Sequence, residues 1–276
     1  MAVNEKVIRH KLLNYKGMTL AIPAHRESTP VGSFTDVDIY AQSSRQLFPL
    51  ATKLEFADGR LFRYGKFGET NTSAPIARMV VNGNLVPGSD DANGFEGALD
   101  STSDYAVGSR TLIIDDVEDR IENYYEDGML AVYPSGHYVE YRILGNDAAS
   151  SVDDVTIYLE DGLATALVVA STGVTAYPSI FCNLKGPPET ATYDAFIGVC
   201  LSTTVTSAYF GWIQRRGRAI VTPTAYFGDS ANERMAQAHT DGTIAVKAAD
   251  GTQTVGYLTQ KTVSGYGDLE VWLQFE

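Results

Sequence analysis

Histidines, nucleophile turns and glycine-rich loops are where chemistry would first show in this sequence, and all are thin. His10, His25, His137 and His239 are scattered, without the close spacing that sets two imidazoles on one zinc-binding helix, and no His-Glu-x-x-His occurs. There is no Gly-x-Ser-x-Gly elbow, no phosphate loop and no dinucleotide-binding glycine fingerprint. The expectation is a protein that is not an enzyme, with no catalytic residues and no cofactor.

The nearest approach to a metal site is the stretch 89–100. Ser89, Asp91 and Asn93 occupy the first, third and fifth places of a calcium-type loop, Gly94 the sixth and Asp100 the twelfth. Ser stands where a carboxylate should lead, Asp replaces the bidentate Glu, and neither flank is helical. Asp91, Asn93 and Asp100 therefore read better as a polar surface loop. Asp115-Asp116, Asp153-Asp154 and Glu160-Asp161 offer carboxylate pairs for a cation or for polysaccharide cleavage, but solvated turns are the simpler reading. Arg215, Arg216 and Arg218 read as a charged hairpin end that discourages edge pairing, with a contact to an acidic neighbour as the alternative.

Charge narrows the partners. The net charge of −13 excludes nucleic acid as the main partner, since phosphate binding needs a basic face. Residues 1–26 run the other way: Lys6, Arg9, Lys11, Lys16 and Arg26 face Glu5 alone, a net of +4. This basic arm is expected to dock on something acidic, a neighbouring subunit being one candidate, or to be a solvated terminus. No run in residues 1–20 has the apolar core of a secretory leader, and no stretch approaches the roughly 20 apolar residues of a membrane span. Cys182 and Cys200 sit in apolar strand-like surroundings and read as free thiols of a soluble protein made in a reducing cytoplasm.

The elements that must carry these residues are strands. Asp-Gly at 58, 127, 161, 241 and 250, with Asn82-Gly83 and Asn93-Gly94, punctuates the chain with tight turns. A three-residue loop at Ala57-Asp58-Gly59 with Gly59 left-handed pairs Leu54 with Phe62 and Thr52 with Tyr64, and puts Leu54, Phe56, Phe62 and Tyr64 on one face. Further strands are expected at 77–81, 110–114, 129–133, 138–144 and 155–159. A short helix is expected at 116–125 and a helical turn at 231–239. The fold class is all-β, a β-barrel or β-sandwich body with an extended N-terminal arm, in which 18–22 can add one strand. The expected divisions are an arm over 1–45, a β domain over 46–188 ended by Gly186-Pro187-Pro188, and a C-terminal β domain over 189–276.

A repeat frames that last part. Residues 196–217 and 256–274 share an order in which Gly198 answers to Gly256, Tyr209 to Tyr266, Trp212 to Trp272 and Gln214 to Gln274, with two extra residues in the second copy. Trp212, Trp272, Tyr209 and Tyr266 are the expected core anchors.

Several segments, in order, carry a resemblance. They are Gln46-Leu47-Phe48-Pro49-Leu50 with Asp58-Gly59-Arg60-Leu61-Phe62-Arg63-Tyr64, where Ala51 stands for a Gly; Asn123-Tyr124-Tyr125-Glu126-Asp127-Gly128 through Glu140-Tyr141-Arg142-Ile143 to Leu159-Glu160-Asp161-Gly162; and Tyr209-Phe210-Gly211-Trp212-Ile213-Gln214 with Gly217 and the Trp272 segment. Over about 46–276 the chain resembles virion structural proteins of tailed bacteriophages that decorate the head. The resemblance implies an all-β virion component with no catalytic residues to carry over. The expected function is a capsid decoration, or cement, protein: a homo-oligomer, expectedly a trimer, that clamps neighbouring copies of the major capsid protein on the particle surface, with Lys6, Arg9, Lys11, Lys16 and Arg26 as partner-binding residues. The alternative is a fibre or adhesin subunit that binds host-surface glycan through some of the 16 tyrosines.

Overall fold

A computed structural model of the chain describes residues 10–23, 37–70, 78–82, 95–100, 103–116, 118–134, 138–150, 154–186, 195–202, 204–225, 227–230, 232–239, 241–247, 253–260 and 269–276. These residues are all-β, with a 3-10 turn at Val169–Ser171. The chain forms two compact units, Met1–Asn82 with Leu184–Glu276, and Gly83–Asn183. The first stretch gives β1 (His10–Tyr15), β2 (Met18–Pro23), β3 (Gln42–Ser43), β4 (Lys53–Phe56), β5 (Leu61–Lys66) and β6 (Arg78–Asn82). The inserted unit gives β7 (Phe95–Ala98), β8 (Thr111–Ile114), β9 (Met129–Tyr133), β10 (Val139–Asn146), β11 (Val155–Leu159) and β12 (Gly173–Tyr177). The return stretch gives β13 (Leu184–Lys185), β14 (Phe196–Cys200), β15 (Phe210–Val221), β16 (Met235–Ala238), β17 (Ile244–Val246), β18 (Thr254–Leu258) and β19 (Leu269–Gln274).

The first unit is one large sheet with the main order β1-β2-β4-β5-β15-β19-β18-β16-β17. The β4–β5 hairpin has the expected register. Leu54 faces Phe62, Tyr64 N–H donates to Thr52 O, and Phe56 N–H donates to Arg60 O around a loop whose Gly59 has φ +86°. Alternation then puts Leu54, Phe62 and Tyr64 into a core with Leu20, Phe48 and Trp212. Burial there pushes the Tyr64 phenol up to about 12. Strand β15 is shared between partners, Phe210–Arg216 with β5 and Arg216–Val221 with β19. The switch is a bulge at Gln214/Arg216, where the buried Gln214 amide donates to Arg216 O and Arg218 O. Gly217 follows at φ +88°, and a Cβ there would lie 2.9 Å from Arg60 Cα.

This sheet redraws the expected divisions. The arm's strand over 18–22 is present as β2, and the arm is more folded than expected: β1 and β2 form an antiparallel hairpin, and β2 pairs with β4, burying Leu20 and Ile22. Residues 46–82 belong with the C-terminal stretch because β5 pairs with β15 and β6 with β14. The stretch 231–239 contributes β16 rather than a helical turn.

The repeat is present as two hairpins, β14–β15 and β18–β19, but in another alignment. Cys200 faces Ile213 and Leu258 faces Val271, so the hairpins have equal length and no extra residues. Gly198 approaches the Gln214 carbonyl as Gly256 approaches that of Trp272. Trp272 therefore matches Gln214, not Trp212. Trp212 is 2 % exposed in the core, Trp272 and Tyr209 are only half-buried, and Tyr266 lies outside the described residues.

The inserted unit has the order β7-β12-β9-β10-β11-β8. Its two ends meet: Leu99 bridges Ile114, Asp100 N–H donates to Ile113 O and Asp115 N–H to Ala98 O. The six strands thus curl into a barrel around Leu112, Leu130, Val132, Ile143, Ile157 and Val174. The helix expected at 116–125 does not form. Asn146 intercepts its hydrogen bonds, accepting from Tyr125 N–H (2.8 Å) and donating to Ile121 O (3.1 Å). Arg120 instead bridges Ala149.

Candidate interaction surfaces

The arm's cationic residues divide by position. Lys6, Arg9 and Arg26 lie outside the described residues, and Lys11 is on β1. Lys16 stands at the tip of the β1–β2 hairpin, φ +46°, with Nζ 5.1 Å from the Tyr15 ring centroid. Among the described residues β1 is the end strand of the sheet, and Leu12 (60 %) and Tyr15 (47 %) are exposed on it. A surface cleft of about 540 Å³ is lined by Tyr15, Lys16, Met18, Glu55, Phe56 and Ala57, at the point where Ala57 N–H donates to Gly17 O and ties this tip to the β4–β5 turn.

Arg215, Arg216 and Arg218 do not end a hairpin. They lie within β15 and are engaged inside the unit: Arg216 with Glu55 (2.5 Å), Arg218 with Glu270, and Arg215 with Glu276 (2.9 Å) and the Ile197 carbonyl (2.7 Å). Glu276 also takes Arg63 through both oxygens (2.8 and 3.0 Å). Burial alone would raise the Glu276 carboxyl, but hydrogen bonding and charge from Arg63, with the charge of Arg215, hold it below its ordinary value. These guanidinium groups brace the sheet.

The Asp115-Asp116 pair parts company as well. Asp115 is exposed, whereas Asp116 is 2 % exposed and pairs with Arg120, 4 % exposed, at 2.7 Å. The Tyr125 hydroxyl donates to Asp116 at 2.6 Å, and the Arg120 guanidinium lies 5.0 Å from the Tyr124 ring centroid. Burial first, then the Asp116 charge, raises the Tyr125 phenol far above its usual range, so it stays a donor. On the helix expected over 116–125 the i,i+4 offset of Asp116 and Arg120 would already pair them, but nothing in the spacing pointed to their burial or to Tyr125. Of the calcium-like stretch, Asp91 and Asn93 lie outside the described residues and Asp100 is exposed. Among the described residues no three His, Cys, Asp or Glu side chains gather to hold a metal ion.

His239 Nδ1 lies 2.9 Å from Asp241 in the β16–β17 turn, but the Thr243 hydroxyl and N–H both donate to that same carboxylate. Burial would raise the Asp241 carboxyl; the bonds from Thr243 and His239 outweigh it and hold it at about 2. The arrangement locks a turn. Cys200 is a buried free thiol, pushed up to about 11 by burial, and Cys182 is half-buried.

The outward face of the barrel carries the main exposed aromatic group. Registers set Tyr177 opposite Met129 and Arg142, Thr175 opposite Ala131, Glu96 and Glu140, and Gly173 opposite Tyr133. Tyr133, Tyr138, Tyr177 and Met129 are exposed, and the Tyr133 and Tyr138 rings lie 6.4 Å apart. Thr175 (3 %) and Ala131 (6 %) point the same way yet are covered, a small-residue floor beneath large neighbours. Residues 83–183 hold eighteen Asp and Glu against Arg110, Arg120 and Arg142, with no Lys, a net of −15; the rest of the chain carries +2. Sequence reading missed this segregation because the unit boundaries at Asn82 and Leu184 are set by long-range pairing.

No family model, curated protein or solved structure matches the chain. The surfaces are therefore read on their own chemistry.

Proposed function

We propose that this chain is a non-enzymatic virion structural protein that decorates and stabilises a bacteriophage capsid, assembling as a homo-oligomer, a trimer, and bridging neighbouring copies of the major capsid protein. The observation that supports this best is the arm. Its hairpin is anchored in the sheet through Leu20 and Ile22, yet it presents β1 as an end strand with Leu12, Tyr15 and Lys16 exposed, directly after a basic leading segment. A rigid β-body with an anchored adhesive margin suits binding by many modest contacts repeated through symmetry. Co-sedimentation with empty capsids tests it, comparing the full chain with one lacking residues 1–9, which leaves β1 intact. Capsid binding that weakens on truncation is expected. Equal binding by both proteins rules out the arm's role, and binding to host cells but not capsids replaces the reading with that of a glycan-binding adhesin.

A further inference from the structure

The charge on the barrel unit has a consequence for assembly. With a net of −15 on residues 83–183, two barrels meeting face to face would press like charges together, so a symmetric barrel–barrel contact is disfavoured. The outward face of β12, β9 and β10 is nevertheless built for contact, with exposed Tyr133, Tyr138, Tyr177 and Met129 around the covered Ala131 and Thr175, and with exposed Glu96 and Glu140 beside them. It fits a cationic segment that also brings apolar side chains: ammonium and guanidinium groups for the carboxylates and the phenol faces, and aliphatic or aromatic groups for Met129 and the ring edges.

This chain contains such a segment. Residues 1–16 carry Lys6, Arg9, Lys11 and Lys16 against Glu5, interleaved with Leu12, Leu13 and Tyr15. On β1 and its turn Leu12, Tyr15 and Lys16 are exposed. The geometry points to the tyrosine face of β12-β9-β10, with Glu96 and Glu140, as the docking surface for the basic amino-terminal segment of a second copy of this chain. The contact is heterologous, joining two different surfaces, and such a contact closes into a ring when the rotation allows. The inference rests on the oligomeric reading above and names the surface that receives the arm.

Sedimentation of the full chain tests it by charge reversal from both sides. Lys6→Glu with Arg9→Glu, or Glu96→Lys with Glu140→Lys, should each weaken self-association by about tenfold or more, and combining all four should restore it. Association of the parent should also fall as salt rises. Both glutamates are exposed, so an unchanged denaturation midpoint in the Glu96→Lys/Glu140→Lys protein shows that it still folds.

A parent that stays monomeric at every concentration overturns the inference, as does association indifferent to both reversals. Capsid co-sedimentation separates this from the function proposed above. If Lys6→Glu/Arg9→Glu loses capsids while self-association persists, the arm serves the capsid and the docking face is wrong. If self-association obeys the charge swap and the parent ignores capsids, the docking face stands and the capsid reading falls. Saccharide binding that Tyr133→Ser abolishes, with association untouched, assigns the face to glycan and also overturns the inference.

Discussion

Asn82 and Leu184 lie opposite each other on the antiparallel strands β6 and β13, although the whole of Gly83–Asn183 separates them in sequence. The barrel unit thus leaves and re-enters the large sheet at neighbouring points. Joining Asn82 to Leu184 through a short glycine-rich turn should leave the first unit folded, since loop closure between adjacent strand ends is cheap. Both tryptophans belong to that unit, so their fluorescence reports it alone. A cooperative tryptophan-detected transition is the expected result; an aggregated or non-cooperative product would refute the insertion architecture.

Asp116→Ala should destabilise the barrel by about 3–5 kcal/mol, because it leaves the buried Arg120 guanidinium without its counter-charge. Tyr125→Phe, which deletes one hydrogen bond to the same carboxylate, should cost about 1–3 kcal/mol. Chemical denaturation followed by far-ultraviolet circular dichroism measures both. A midpoint unchanged in Asp116→Ala contradicts the role given to the pair.

The two tryptophans should behave unequally. Trp212→Ala empties a core site among Phe48 and Tyr64 and should cost about 3–5 kcal/mol. Half-buried Trp272 should cost clearly less on the same substitution. Equal losses would favour the equivalence read from the repeat over the register seen in the hairpins.

Acid should weaken the β16–β17 turn through Asp241. Its carboxyl is held at about 2 against an ordinary 3.8, so its contribution is complete above the ordinary value and is lost as pH falls through the folded one. Asp241→Asn should lower stability at neutral pH, where the carboxylate's contribution is complete, and flatten its dependence on pH between those limits. Parallel acid profiles of the two proteins would rule this out. The effect is modest because the side chain is partly exposed.

Much of the local architecture was legible in sequence. Residues 129–133 and 155–159 are strands over those bounds, and Ala57-Asp58-Gly59 closes its hairpin in the expected register. Alternation and turn chemistry act over a few residues, so the chain carries them openly. The fate of Asp116 was not legible: its neighbour Asp115 is exposed, and only the return of Asn146 to Tyr125 and Ile121 replaces a helix with the turn that buries it. The domain limits were hidden for the same reason, since β5 finds β15 and β6 finds β14 across the inserted barrel.

The sequence by itself determined an all-β chain, its short hairpins, its basic leading segment and the strand identity of most of its apolar runs. Only the tertiary structure decided which strands are neighbours, that β15 serves β5 and β19 in turn, that Trp272 matches Gln214, and that the negative charge collects on one unit. Local preference selects strands, but partners are selected by closing long loops onto shared cores, and that free energy resides in contacts far apart in sequence.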